Sequence, residues 1–212
     1  MSDPQTGQKS RSAERRTRQR AANRGLILDA ARKVAARGDS ELSLRAVALE
    51  AGYAPASIYE YFRNRSEMML ALAADDLSQL ARTLREQMAQ PQGMGRAPDG
   101  RLASAAHLAL DYMAQSSGFS AAAAIIEDKT LSPESERLYN GKLIGLLTTL
   151  AEVTGRAPLR SRDDQLDVML AAASIAGIAI LARAGRLKAL GYDEAELLRR
   201  LDRRFAERPT SP

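Results

Sequence analysis

Ser43-Leu44-Arg45-Ala46-Val47-Ala48-Leu49-Glu50-Ala51-Gly52-Tyr53-Ala54-Pro55-Ala56-Ser57-Ile58-Tyr59-Glu60-Tyr61-Phe62-Arg63-Asn64-Arg65 decides how this 212-residue sequence is read. Ser43 is a suitable N-cap for a helix whose inward positions are Val47, Ala48 and Ala51. The link Gly52-Tyr53-Ala54 follows. Pro55 disfavours a helical conformation for Ala54 and suits a first helical turn, so the next helix starts near Pro55 and carries Ser57, Ile58, Tyr59 and Tyr61. It holds barely two turns. Two helices joined by a tight Gly-containing turn, the second one short, predict a helix-turn-helix.

Working outward, Ile27, Ala30, Ala31 and Val34 fall at i, i+3, i+4 and i+7 and predict an amphipathic helix that Gly38 ends. On the other side, Asn64 and Glu67 form a capping pair for a long helix through Met68, Met69, Leu72 and Leu80 toward Gln90. Residues 91–100 hold three Gly and two Pro and predict a loop. Leu102, Ala105, Ala109 and Met113 mark the next stripe, and 121–127 a short segment. Ser132-Pro133-Glu134 opens a helix through Tyr139, Leu143 and Leu150, broken at 155–162. Asp163 or Asp164 then caps a helix through Gly185, and Asp193 with Glu196 opens a last one to about Phe205. No strand alternation appears, so the fold class is all-α. A basic, flexible arm over 1–23 precedes a three-helix helix-turn-helix domain over 24–70 and a larger helical domain over 71–212.

The formal charge of +5 sits at one end. Residues 1–24 carry Lys9, Arg11, Arg15, Arg16, Arg18, Arg20 and Arg24 against Asp3 and Glu14, which accounts for all of it. Arginine forks suit phosphate oxygens, so the segment is either a polyanion-binding arm or a merely solvated one. With no Cys and one His, disulfides, thiolate zinc sites, cysteine nucleophiles and a polyhistidine metal site within one subunit are excluded. A phosphate loop and a nucleophile elbow are missing too. No catalytic residue, metal or cofactor is therefore expected. The first 24 residues lack the apolar core of a signal peptide, and the longest apolar stretch, 169–182, falls short of a bilayer span, so a cytoplasmic protein without a membrane role is expected.

The next-to-last helix is apolar all round, with Met169, Ala173, Ala176, Gly177 and Ile180 on one stripe and Ala172, Ile175, Ala179 and Ala182 on another. Such a helix needs cover on two sides. Its own domain supplies one and a second subunit the other, with Leu197, Leu198, Leu201 and Phe205 of the last helix completing a four-helix seam. A single large core in a monomer is the competing reading. Arg199, Arg200, Arg203 and Arg204 read as a solvated face.

Ile27-Leu28, Ala30-Ala31, Gly38, Ser43 to Ala48, Ala51-Gly52-Tyr53, Ser57 to Phe62 and Arg65 together resemble the DNA-binding region of TetR-family transcription regulators over about residues 24–72. The Tyr-x-Tyr-Phe group after an Ala-Gly turn is the most specific element. Departures from the family pattern are Tyr53 for Val, Ala54 for a capping Ser, Ser57 for Thr and Arg65 for Lys. The resemblance implies a homodimeric repressor that binds a palindromic operator in double-stranded DNA and is released by a small ligand. Pro55, Ala56, Ser57 and Tyr59 would face the major groove. Pro55 and Ala56 would offer apolar contact to a thymine methyl, and Tyr59, Tyr61 and Arg65 would meet phosphate. Arg45 would read a guanine, touch phosphate, or pair with Glu41. The second domain would hold the ligand, an apolar or moderately polar small molecule. Its candidate contacts are His107 and Asp111, at i and i+4, with Tyr112, Met113, Phe119, Glu127, Tyr139 and Met169. Two rivals stand beside this reading: a DNA-binding protein of the same fold that recruits a protein partner, and a small all-helical enzyme.

Overall fold

A computed structural model describes residues 4–38, 42–90, 100–116, 118–119 and 130–206. Its regular elements, in chain order, are α1 (Pro4–Ala35), α2 (Leu44–Glu50), a 3-10 turn (Ser57–Glu60), α3 (Arg65–Ala89), α4 (Arg101–Gln115), α5 (Pro133–Val153), α6 (Arg162–Arg183), the short α7 (Arg186–Ala189) and α8 (Glu194–Ala206). Among the described residues there is no strand. Two apolar clusters organise them. Ile27, Ala31 and Val34 of α1 meet Val47 and Ala48 of α2, Ile58, Phe62, and Met68 and Leu72 of α3 in the first. Leu80 and Leu84, further along α3, meet Ala105 and Ala109 of α4, Leu150 and Val153 of α5, Ile175 of α6 and Leu198 of α8 in the second. Helix α3 thus belongs to both cores, and any tilt of it is felt at both ends.

The helix starts are chemically explicit. Asn64 Oδ1 accepts from the Glu67 amide at 2.8 Å, and Glu67 Oε2 reaches back to the Arg63 amide at 3.3 Å, as the pairing of these residues in the sequence predicts. Ser132 caps α5, and Asp193 accepts from the Glu196 amide at 3.1 Å.

Four expectations need amendment. The segment taken as a separate arm is helical from Pro4 onward and continuous with α1, because Ala, Glu, Gln and Arg make up all of residues 13–24 but Thr17 and Asn23, and no Pro or Gly interrupts them. The helix expected from Pro55 is a four-residue 3-10 turn over Ser57–Glu60: residues 55 and 56 form an ordinary turn, and no side chain caps the element at Ala56. Helix α6 is capped by Ser161, whose hydroxyl accepts from the Asp164 amide at 3.0 Å while Asp164 Oδ2 accepts from the Ser161 amide at 3.2 Å. It ends at Arg183 rather than Gly185, whose positive φ of 66° starts α7. The segment 121–127, with Glu127, and the loop 91–99 lie outside the described residues.

Candidate functional site

Helix α2 begins with Ser43 Oγ accepting from the Ala46 amide at 3.2 Å. It ends in a Schellman arrangement: the Tyr53 amide donates to the Ala48 carbonyl at 2.8 Å and the Gly52 amide to Leu49 at 3.2 Å. Gly52 sits at φ +75°, a conformation that costs most side chains strain. The chain then turns through Pro55 into the 3-10 segment, whose Ile58 is buried with Phe62. Arg45, Leu49, Pro55, Ala56, Tyr59, Glu60 and Arg63 remain outside, Leu49 64% and Tyr59 60% exposed, with Ser57 half-buried. Such a surface offers guanidinium groups, a phenol, a carboxylate and apolar groups to a partner.

Tyr61, half-buried, and Arg65, exposed, also make contacts within the chain. Tyr61 accepts a hydrogen bond from Asn23 Nδ2 at 3.1 Å and lies edge-on to Tyr53, with ring centroids 6.2 Å apart. Arg65 Nε donates to the Leu42 carbonyl at 2.8 Å, tying the start of α3 to the entry of α2. Both therefore hold the turn in place.

Between α3, α4, α5 and α6 lies a cavity of about 280 Å³. Its walls are Leu80 and Leu84 of α3, Ala105, Ala109 and Met113 of α4, Leu143, Leu146 and Leu147 of α5, and Ile175 and Ala176 of α6, with Phe119 beside them. The polar side chains reaching it are Asp76, Tyr112, Ser116 and Tyr139. Burial pushes the Tyr112 phenol up to about 12, with the Asp76 charge adding to it, and burial raises Tyr139 as well. Both stay neutral at physiological pH. The cavity suits an apolar body.

Among the described residues, Asp76 is the one carboxylate lining it, and it is buried. Its Oδ1 accepts from Arg32 Nη2 at 2.6 Å and Nε at 3.2 Å, and its Oδ2 from the Ser116 hydroxyl and from the Gly118 amide at 3.1 Å. These four bonds occupy the lone-pair directions of an ionised carboxylate. Among the described residues, a ligand in the cavity therefore meets no unspent charge. Arg32 also binds Asp75 at 2.6 Å and Asp29 at 3.0 Å. Burial alone would lower its pKa, but hydrogen bonds and the charges of Asp76 and Asp75 outweigh that and raise it, so this cation is permanent. The network joins α1 of the first cluster, the middle of α3 and the residues just after α4. On its far side, Arg32, Lys33, Gln79, Asp111 and Arg183 line a polar cleft.

Of the residues singled out for a ligand, Tyr112, Met113, Phe119 and Tyr139 line the cavity. Asp111 faces the polar cleft instead, and His107 is exposed and lines neither. Met169 is 46% exposed, on the face of α6 turned away from the core. An i, i+4 spacing put His107 and Asp111 together on α4, but only the packing of α4 determines which face looks inward, and that face is Ala105, Ala109 and Met113. Asp76, Ser116 and Arg32 were missed. A signal existed: Asp76 interrupts the apolar series Met69, Leu72, Ala73, Leu80 on α3, where an acid must find partners. Among the described residues, no group of three or more His, Asp or Glu could hold a metal ion.

Helix α6 is long and apolar enough to cross a bilayer by length and composition alone. Val168, Ala171, Ile175 and Ala179 bury one face in the second core, while Leu166, Leu170, Ile180 and Leu181 stay exposed. In α8, Leu198 is buried, Leu201 and Phe205 pack on the same core, and Arg156 stacks 4.1 Å over the Phe205 ring. The apolar face of α8 is thus largely consumed within the chain.

Residues 27–72 match the model of the bacterial regulatory proteins of the tetR family. No curated protein matches the chain. Among solved structures, the chain is similar to a TetR transcriptional regulator from Rhodococcus sp. RHA1, at 15% identity and a TM-score of 0.70, covering 91% of this chain and 100% of that one. It is also similar to FadR of Thermus thermophilus, a TetR-family transcriptional repressor, in complex with lauroyl-CoA, at 19% identity, TM-score 0.61 and 89% and 98% coverage. FadR of Bacillus subtilis in complex with stearoyl-CoA aligns at 19% identity, TM-score 0.58 and 86% and 97% coverage. At these identities the likeness establishes the fold.

Proposed function

Since residues 27–72 form a TetR-family regulatory region on a TetR-like fold, we propose that this transcriptional regulator is a homodimeric repressor whose DNA binding is released by an apolar, acyl-type effector. The observation that carries the reading is the Gly52 turn, which buries Ile58 and Phe62 and leaves Arg45, Pro55, Ala56 and Tyr59 exposed. Pro55 and Ala56 meet a thymine methyl, Tyr59 a phosphate, and Arg45 a guanine edge. A palindrome requires two such surfaces about 34 Å apart, and the exposed Leu166, Leu170, Ile180 and Leu181 of α6 are the seam on which a second copy packs.

The effector class is supported by the cavity, where the charged side chain among the described residues, Asp76, is internally paired. Two similar proteins hold acyl-CoA molecules, which fits an acyl chain in such a space. Occupancy acts through the Ser116 and Gly118 bonds to Asp76. A chain that displaces the end of α4 strips Oδ2 of its donors and alters how Asp76 holds Arg32, and with it α1, against α3. A coupling of about 1 to 3 kcal/mol is enough to change operator affinity 5- to 150-fold, and DNA must weaken effector binding by the same factor.

Selection of bound duplexes from a random library at fixed salt tests the reading. A palindromic site should emerge, and lauroyl-CoA should release it. Enrichment of no sequence, or a monomer at micromolar concentration, would overturn it.

A further inference from the structure

The amino-terminal part of α1, we infer, is a preformed phosphate-binding strip that carries duplex contact beyond residues 42–65; this rests on the DNA-binding reading above. Helix α1 runs unbroken from Pro4, so the portion before Asn23 is about 30 Å of helix, close to one turn of duplex. Residues 12–24 hold five arginines against one acid, Glu14, and 12–22 are exposed.

The strip is anchored in register with the 3-10 turn. Arg16, Gln19, Arg20 and Asn23 recur at i, i+3, i+4 and i+7 and share a face. Arg20 Nη2 donates to the Glu60 carbonyl at 2.7 Å, Gln19 Nε2 to Asn23 Oδ1 at 2.9 Å, and Asn23 Nδ2 to the Tyr61 hydroxyl. The Arg20 guanidinium also lies 6.0 Å from the Tyr61 ring centroid. These contacts form a shallow concavity lined by Arg16, Arg20 and Tyr61, with Glu60 as its acidic member. Arg15 and Arg18 line the adjoining face with Glu14. Apart from small alanines, residues 12–24 carry no apolar side chain, so this part of α1 lacks the core of a protein interface and the wedge of a membrane-binding helix. What fits is a rigid row of guanidinium forks against a polyanion that already runs past Tyr59.

The test uses the full chain and the selected palindrome, either trimmed to its two half-sites or flanked by about ten arbitrary base pairs on each side. Wild type should bind the flanked duplex at least tenfold more tightly, with a steeper dependence on salt. Replacing Arg15, Arg16 and Arg18 by Gln keeps helix propensity. That variant should bind both duplexes alike, with log K against log salt shallower by about 0.9 per phosphate released, and with sequence preference unchanged. Equal salt slopes and equal length responses for variant and wild type overturn the inference alone. Failure of the wild type to bind any duplex overturns the functional reading and this inference together.

Discussion

The reading end of the molecule, residues 42–65, and the cavity end are held by contacts of different range. Ser43 to Ala46, Ala48 to Tyr53 and Asn64 to Glu67 are bonds across three to five residues and Arg65 to Leu42 across 23, and only Asn23 to Tyr61 and Arg20 to Glu60, which tie the turn to α1, reach 38 and 40. The cavity end is closed by Asp76 with Ser116, by Arg85 with Thr149 at 2.5 Å, and by Asp202 with the Gly100 and Ala103 amides at 2.9 and 3.1 Å, across 40 to 102 residues. Short-range chemistry makes a motif that tolerates little change in sequence. Long-range packing builds the cavity from residues far apart in sequence, so its walls depend on how whole helices settle together. Asp76 and Arg32 join the two regimes.

Breaking the short-range end at its centre should have the largest effect. Phe62 is 1% exposed, and Phe62→Ala should cost about 3 to 5 kcal/mol in urea unfolding and abolish duplex binding. A loss below 1 kcal/mol would mean that the local bonds alone sustain this end. Asp76→Ala tests the joint. Arg32 keeps Asp75 and Asp29, so we expect a loss of about 2 to 3 kcal/mol, together with an effector response that is weakened while the duplex is still bound. Unchanged coupling would separate the two ends after all. Ser43→Ala removes one cap and should cost about 1 kcal/mol, read as a shift in urea midpoint without a change in slope.

The mildest probe addresses the cavity wall. Tyr112 has a folded pKa of about 12 against 10 when unfolded. Since the folded value is raised, the contribution is whole below pH 10 and declines as pH rises toward 12. Absorbance titration should reveal a phenol ionising near 12 that Tyr112→Phe removes, and the variant's stability should fall less steeply across that window.

Much of the reading end was legible because its cues lie within a few residues of one another. Ser43, Gly52 and the Asn64 and Glu67 pair each act on backbone groups three to five positions away. The cavity was legible only in part. Tyr112, Met113, Phe119 and Tyr139 are amphipathic or apolar residues on or beside helices that had to pack somewhere, whereas His107 and Asp111 share α4 with Tyr112 and Met113 and point elsewhere, as does Met169 on α6. The length of the recognition element escaped because Pro55 marks a turn as readily as a helix start. The charge of residues 12–24 was plain in the sequence, yet its being a rigid extension of α1 depended on helix continuity through Gly25 and on bonds to Glu60 and Tyr61.

By itself the amino-acid order settled the helical class, the position and register of the turn at Gly52, and the absence of cysteine chemistry, since periodicity, capping and composition act locally or not at all on geometry. Tertiary structure alone decided which face of α4 looks into the cavity, that Asp76 spends its whole carboxylate on Arg32, Ser116 and Gly118, and that α8 turns its leucines inward. Those outcomes depend on how helices distant in sequence settle against one another, where burial of apolar area sets orientation and a buried charge must find its partners wherever packing brings them.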